Sequence, residues 1–174
     1  MGAAGSRDDD FTAFVLARSA RLMHFARMLC GDAGLAEDLV QTALEKAYLR
    51  WDRIEMADPF AYVRQAVVNQ HLSWVRRRLW RERPSGDPMD LEPWAGALSD
   101  SAGLSDRRLA LLSALRLLTR RERAVVVLRH VEDLSEGDTA AVLGVAVGTV
   151  KSSNARALRK LRAAPALAGV GETV

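Results

Sequence analysis

SEGDTAAVLGVAVGTVKSSNARALRKLR, residues 135–162, decides the fold. The stretch reads as two short helices joined by a tight turn. Ser135 is placed to cap the first, with Asp138 returning the bond from the third helical position as in a capping box. Ala140 and Gly144 follow, four residues apart. The small alanine lets a second helix cross closely, and the glycine supplies the positive φ that a sharp turn needs. A second helix is expected to start near Thr149. On it Val150, Ala157, Leu158 and Leu161 fall on one side at helical spacing, while Ser152, Ala155, Arg156 and Arg159 fall on the other. This pattern predicts a helix-turn-helix whose second helix enters a DNA major groove.

Two packed helices with a glycine turn occur in many proteins, so the exposed face carries the argument. Lys151, Arg156, Arg159, Lys160 and Arg162 crowd the second helix with no acid among them. A helix that merely faces solvent usually mixes signs. Within the expected reading helix, Ser152, Ala155 and Arg156 fall where base edges would be met. Thr149, Lys151, Arg159 and Lys160 fall where phosphates would be held.

Outward from this stretch, the charge is segregated. The net charge of +3 over 174 residues hides a −3 block at 1–60, a +5 block at 61–83, a −5 block at 84–106 and a +7 block at 107–163. Two basic blocks separated by an acidic one suggest two nucleic-acid contacts on one chain. The apolar fraction of 49% is ample for a core, yet no apolar run approaches the roughly 18 residues of a membrane span. The N-terminal MGAAGSRDDD lacks the architecture of a secretion signal, so a cytoplasmic location is expected. A single cysteine, Cys30, excludes a disulfide framework and reads as a small buried residue. His24, His71 and His130 are too scattered to form a metal pattern, and no cofactor is expected.

In chain order, residues 9–30 read as a first helix, with Phe11, Phe14, Val15, Leu22, Phe25, Ala26 and Leu29 at helical spacing and Gly31 as its stop. Residues 34–51 read as a second, with Ala36, Leu39, Val40, Ala43, Ala47 and Trp51 inward and an opposite strip of Glu37, Asp38, Gln41 and Glu45. After a loop from Asp52 to Asp58, Asp58 caps a third helix with Pro59 at its first position, running to about Trp80. Its core stripe is Phe60, Val63, Val67 and Trp74. Asn69, Ser73, Arg76 and Trp80 share another face, and Arg77, Arg78, Arg81 and Arg83 add charge. Arginines interleaved with tryptophan suit a surface that tracks nucleic acid. Residues 84–106 hold three prolines, three glycines, four serines and five acids, the composition of a linker. Beyond it, 107–118 reads as an apolar helix. Thr119 with Glu122 makes a capping box that opens a helix through about Val131. The expected fold is therefore all-α: an N-terminal domain of three or four helices over 1–83, the linker, and a four-helix domain over 107–174 carrying the helix-turn-helix.

With these segments in place the chain resembles the RNA polymerase sigma factors of the sigma-70 class, in their two-domain extracytoplasmic-function subgroup. DAGLAEDLVQTALEKAY resembles the family's core-binding segment. PFAYVRQAVVNQHLSWVRRR resembles its segment for the −10 promoter element, in a variant similar to an actinobacterial branch. LLTRRERAVVVLRHVEDLSEGDTAAVLGVAVGTVKS resembles its −35-binding domain. The resemblance spans about residues 10–163 and keeps the family's order and spacing.

The resemblance implies a non-enzymatic factor that binds core RNA polymerase, directs it to promoters by reading the −35 and −10 elements, and helps melt DNA. Core contact would fall to Glu37, Asp38 and Gln41 on the β′ clamp helices, with the β flap as the second domain's polymerase partner. The −10 element would meet Asn69, Ser73, Arg76, Arg77 and Trp80. The 52–58 loop would capture a base flipped from the non-template strand. The −35 element would meet Thr149, Lys151, Ser152, Ala155, Arg156, Arg159 and Lys160. Control, if any, would come from a separate anti-sigma protein. The chain departs from the family's pattern at Ser73, where Asp is frequent, at Ser153, where a basic residue is frequent, and at Asn154, in a usually apolar place. The competing reading is a dimeric helix-turn-helix regulator that never joins polymerase, which would leave the acidic 37–45 strip and the basic 61–83 helix without a purpose. An enzyme acting on nucleic acid would need a convergent acid, base, nucleophile or metal set, and the sequence offers none.

Overall fold

The computed structural model describes residues 3–54, 58–82 and 106–167. All regular elements among them are helical. They are α1 (Ala3–Cys30), α2 (Ala33–Tyr48), a 3₁₀ turn (Trp51–Arg53), α3 (Pro59–Glu82), α4 (Asp106–Leu115), α5 (Arg120–Val126), a π turn (Val127–Val131), α6 (Glu136–Leu143), α7 (Val147–Arg162) and a final 3₁₀ turn (Pro165–Leu167). Residues 84–105 of the expected 84–106 linker, and residues 55–57 of the expected base-capture loop, lie outside the described residues, while Asp106, expected in the linker, opens α4.

Local chemistry explains where each helix starts and stops. Gly31, at φ +75°, ends α1 in a conformation that costs an L residue strain. Asp32 then caps α2 by accepting the Leu35 N–H at 2.7 Å. Asp58 caps α3 at the Ala61 N–H, 2.9 Å away, directly before Pro59. Thr119 and Glu122 close the expected capping box on α5. Ser135 accepts the Asp138 N–H at 3.0 Å, but the return bond differs from the expected one. The Asp138 carboxylate takes the Ser135 hydroxyl at 2.6 Å and not the backbone N–H, because aspartate is one methylene too short to reach it.

Two expected helices also end differently. The second stops at Tyr48 and not at Trp51, and Trp51 reaches the core from the 3₁₀ turn, where it meets Phe11 edge-on at 5.0 Å and Phe14 at 5.1 Å. The fifth leaves α geometry at Val126 and widens into the π turn, closed by the Glu132 N–H on the Val127 carbonyl at 3.1 Å.

The first half is a three-helix unit in which α2 packs on α1 and α3 packs on α2. In the second half α7 packs across α5 and α6. One apolar cluster runs through both, from Leu22, Phe25 and Leu29 through Val63 and Val67 to Leu118, Val125, Leu128 and Val150. Each large side chain buried this fully contributes roughly 1.5–3 kcal/mol. The halves meet where α1 faces α5 and its π turn, and where α3 faces α6. The contact is partly ionic. Glu132, with its side chain 2% exposed, takes Arg21 at 3.0 Å and Arg64 at 3.1 Å. Both guanidinium groups also lie over the Phe60 ring. Gln65 donates across the same seam to the Val142 carbonyl at 3.3 Å.

Candidate nucleic-acid interface

The turn between α6 and α7 is built as its sequence suggests. Gly144 adopts φ +66°, and Ala140 is buried where the two helices cross. On α7, Val150 and Ala157 are buried, while Lys151, Ser152, Ala155, Arg156, Arg159 and Lys160 are exposed and Thr149 is half-buried. The helix begins at Val147, two residues before the expected start. Ser153 is fully buried. Asn154 is half-buried and its amide oxygen lies 3.0 Å from the His130 ring.

The cations of α7 are not all free. Lys160 donates to Glu122 at 2.7 Å, and Arg156 lies 3.6 Å from the other oxygen of the same carboxylate. Lys151 faces Glu136 at 3.7 Å. Burial alone would push the Glu122 carboxyl up. The Lys160 hydrogen bond, the Thr119 N–H and Arg156 outweigh that and hold it below its usual value.

On α3, Asn69 and Arg77 are exposed and Ser73 is half-buried. The side chains of Arg76 and Trp80 lie outside the described residues. Asn69 accepts from Gln65 at 3.1 Å and sits in a cavity of about 470 Å³ between the end of α2 and α3. Lys46, Arg50, Tyr62 and Gln65 share that lining. Two cations, three amides (Gln65, Asn69 and Gln70) and an aromatic ring make a site chemically suited to a nucleotide base and its phosphate. Lys46, Arg50 and Tyr62 were missed in the sequence, although Lys46 and Arg50 stand four apart, one in the last turn of α2 and one just beyond its end. The start of the 52–58 loop is tied down, with Ile54 buried and Asp52 paired to Arg7 at 3.4 Å.

Glu37, Asp38 and Gln41 are all exposed on α2. Gln41 donates to Glu45 at 3.0 Å, and Glu37 stands 4.0 Å from Arg27. Glu37, Gln41 and Glu45 edge a groove of about 680 Å³ between α1 and α2, floored by Phe11, Val15, Met23, Val40 and Leu44, and Asp38 lies outside its lining. An apolar floor with an acidic rim fits a helical partner that carries both leucine-like and basic side chains.

Cys30 is buried, donates to the Asp32 carbonyl at 3.2 Å, and burial pushes its thiol up to about 11, which leaves it protonated and unreactive at neutral pH. Among the described residues no cluster of His, Cys, Asp and Glu could hold a metal ion, and no helix is long and apolar enough to cross a membrane.

Residues 14–90 match the family model described as Sigma-70 region 2, and residues 108–161 the one described as Sigma-70, region 4. The chain is 41% identical over 156 residues to the RNA polymerase sigma-E factor of Streptomyces coelicolor, covering 88% of this chain and 84% of that one. It is 31% identical over 168 residues to the ECF RNA polymerase sigma factor SigL of Mycobacterium tuberculosis, covering 92% of each. Among solved structures it is similar to the sigma factor RpoE of Bartonella quintana, described in complex with the anti-sigma factor NepR, with a TM-score of 0.63 and 30% identity over 88% of this chain and 95% of that one. It is also similar to CnrH, described in complex with the cytosolic domain of CnrY, with a TM-score of 0.58 and 25% identity over 90% and 87% of the two chains.

Proposed function

This chain belongs to the sigma-70 family of RNA polymerase sigma factors, and we propose that its exposed surfaces divide that family's task among the residues named above. It binds core RNA polymerase, directs it to promoters through the −35 and −10 elements, and helps melt the DNA for initiation. Relatives of this kind span nearly the whole chain, so the reading as a dimeric regulator working apart from polymerase is not favoured. The protein acts by binding, without an enzymatic step of its own, and works in the cytoplasm beside the polymerase.

In the proposed division, α7 reads the −35 element with Ser152, Ala155 and Arg156 toward base edges and Thr149, Lys151, Arg159 and Lys160 toward phosphates. The α3 face with Asn69, Ser73, Arg76, Arg77 and Trp80 meets the −10 element, and the cavity beneath Asn69 receives a flipped base. The acidic strip of Glu37, Asp38 and Gln41 docks on the clamp helices of core, and the second domain meets the β flap. Two domains, 1–83 and 107–174, joined by the acidic linker, fit this division. An anti-sigma protein, like the NepR bound to RpoE, would act by covering these same faces. The observation that carries the reading is the exposed, acid-free cationic face of α7, set on a buried stripe of Val150, Ser153 and Ala157.

One mechanical consequence follows from size. The two elements stand roughly 25 base pairs apart, about 85 Å of duplex at ~3.4 Å per pair. A compact chain of this length has a radius of gyration of about 16 Å. With Gln65 of the −10 half bonded to Val142 of the −35 half, the chain cannot reach both elements at once. Engagement with a promoter therefore requires the halves to part.

The test is run-off transcription with purified core polymerase. Promoter-specific transcripts that depend on this chain support the reading, and specific DNA binding with no effect on core overturns it. Reversing Glu37 and Asp38 to Lys is expected to weaken core binding at least about tenfold with helicity intact, as like-charge contacts replace attractive ones. Unchanged affinity would remove these residues from the docking face.

A further inference from the structure

Glu122 lies beneath the reading helix and is tied to it twice. One carboxylate oxygen accepts Lys160 Nζ at 2.7 Å and the Thr119 N–H at 2.9 Å. The other faces Arg156 Nε at 3.6 Å, a charge contact and not a hydrogen bond. The side chain of Glu122 is 4% exposed, against 46% for Arg156 and 42% for Lys160. A buried anion thus holds two exposed cations from below. Arg156 has a second tether, donating from Nη2 to Ser153 Oγ at 3.2 Å, and Ser153 is itself fully buried. Of the five guanidinium N–H donors, the Ser153 bond uses one, and the rest remain for a ligand.

A free arginine on a helix surface samples many rotamers and attracts any phosphate. An arginine whose direction is already fixed loses less freedom when it meets one base. Pairing with a buried acid also reduces the net charge that a duplex meets, and so the counterions released on binding.

We propose that Glu122 is a specificity-determining positioning residue of the −35 interface: its buried carboxylate aims Arg156 and offsets the charge of Arg156 and Lys160, so that this turn of α7 discriminates between bases more than it attracts phosphates. The proposal rests on the reading of Arg156 as a base contact.

The experiment uses the full chain bound to core polymerase. Its probe is the promoter duplex that this complex selects from a randomised pool, together with the duplexes singly substituted through its −35 element, at several salt concentrations. Glu122→Gln keeps a capping-box acceptor for the Thr119 N–H and removes only the charge. It is expected to bind every duplex more tightly at low salt, roughly threefold or more, and to steepen the salt dependence by about one unit of slope. Preference at the base pair served by Arg156 should fall from roughly tenfold to near parity. Wild-type preference and wild-type slope in Glu122→Gln would overturn the proposal, and so would uniformly weaker binding.

Two companions keep the outcome decisive. Thr119→Ala damages the same cap and leaves both ion pairs, so it should lower the melting temperature and leave the base preference alone. A loss of preference equal to that of Glu122→Gln would make Glu122 merely structural. Arg156→Ala separates this proposal from the reading beneath it. Lost preference with Arg156→Ala but not with Glu122→Gln overturns the role of Glu122 alone. Lost preference with neither removes Arg156 from base reading, and Glu122 with it.

Discussion

Glu122 and Glu132 lie ten residues apart, the first within α5 and the second capping the end of its π turn; both are buried, and each takes two cations. What differs is where the cations come from. Those of Glu122 belong to α7, within the same half. Those of Glu132 are Arg21 of α1 and Arg64 of α3, across the seam. The same chemistry therefore serves opposite needs. The pairs at Glu122 can persist while α7 lies on DNA. The pairs at Glu132 must break if the halves are to span a promoter. A buried ion pair suits this second task. Desolvation offsets much of its attraction, so it adds little net stability, yet it penalises any arrangement that leaves one charge alone.

The largest expected effect comes from breaking the seam. Arg21→Ala with Arg64→Ala leaves Glu132 buried and unpaired, and should destabilise the closed arrangement by about 3–5 kcal/mol. Chemical denaturation would read the loss and small-angle scattering the expansion, and affinity for core should rise. Glu132→Gln, which removes the charge itself, should cost far less. Equal losses in the two would dissolve the contrast between seam and reading helix.

Acid should open the same seam next. His71 of α3 is 3% exposed, its ring nitrogens have no hydrogen-bond partner, and it lies almost parallel to Trp74 at 6.5 Å. Burial, with Arg123 and Arg120 adding repulsion, depresses its pKa from 6.5 to about 4. The folded state thus binds fewer protons than the unfolded one between those values. The stability that depends on neutral His71 is fully present above pH 6.5 and is lost as pH falls toward 4. The loss amounts to ~3 kcal/mol. His24, lowered by burial and by Arg108, adds to the same slope. Denaturant titrations at pH 7.5 and 5 should differ by about 2 kcal/mol, since part of the loss falls below pH 5, and His71→Leu should remove most of the difference. A pH-independent midpoint would show that His71 carries no such burden. The carboxylate at Glu122 titrates below its usual 4.5, so its pairs should outlast this window.

On the reading helix the comparison narrows to two side chains of one carboxylate. Arg156→Ala should erase roughly 1–3 kcal/mol of preference at one −35 base pair. Lys160→Ala should weaken all duplexes alike and flatten the salt dependence. If Arg156→Ala weakens every duplex by one factor, Arg156 is a phosphate clamp. The smallest effect belongs to the other half. Asn69→Ala should cost about 1 kcal/mol of open-complex stability at promoters of one −10 sequence, with core binding unchanged. Potassium permanganate footprints across substituted promoters would read it, and equal loss at every base would remove Asn69 from the reading face.

The sequence by itself determined most features set by neighbours three or four residues away, the return bond from Asp138 to Ser135 being an exception. Asp58 with Pro59, the Thr119–Glu122 box, Gly144 at its positive φ and the two faces of α7 all depend on contacts within a turn. The acid-free surface of α7 and the acidic strip of α2 were legible for the same reason, since helical periodicity alone assigns residues to faces. The tertiary structure corrected the edges. Trp51 reached the core from a 3₁₀ turn, because an aromatic pocket formed by Phe11 and Phe14 governs its place more than helix propensity does. Ser153, polar and in the middle of a cationic helix, proved fully buried. What only the fold decided was which charges meet. Lys160 finds Glu122 at 38 residues' separation, Arg64 finds Glu132 at 68, and Arg21 finds it at 111. No periodicity encodes such pairings. They exist because apolar packing brings α1, α3, α5 and α7 around one cluster, and a charge caught inside it must take whatever opposite charge that packing delivers.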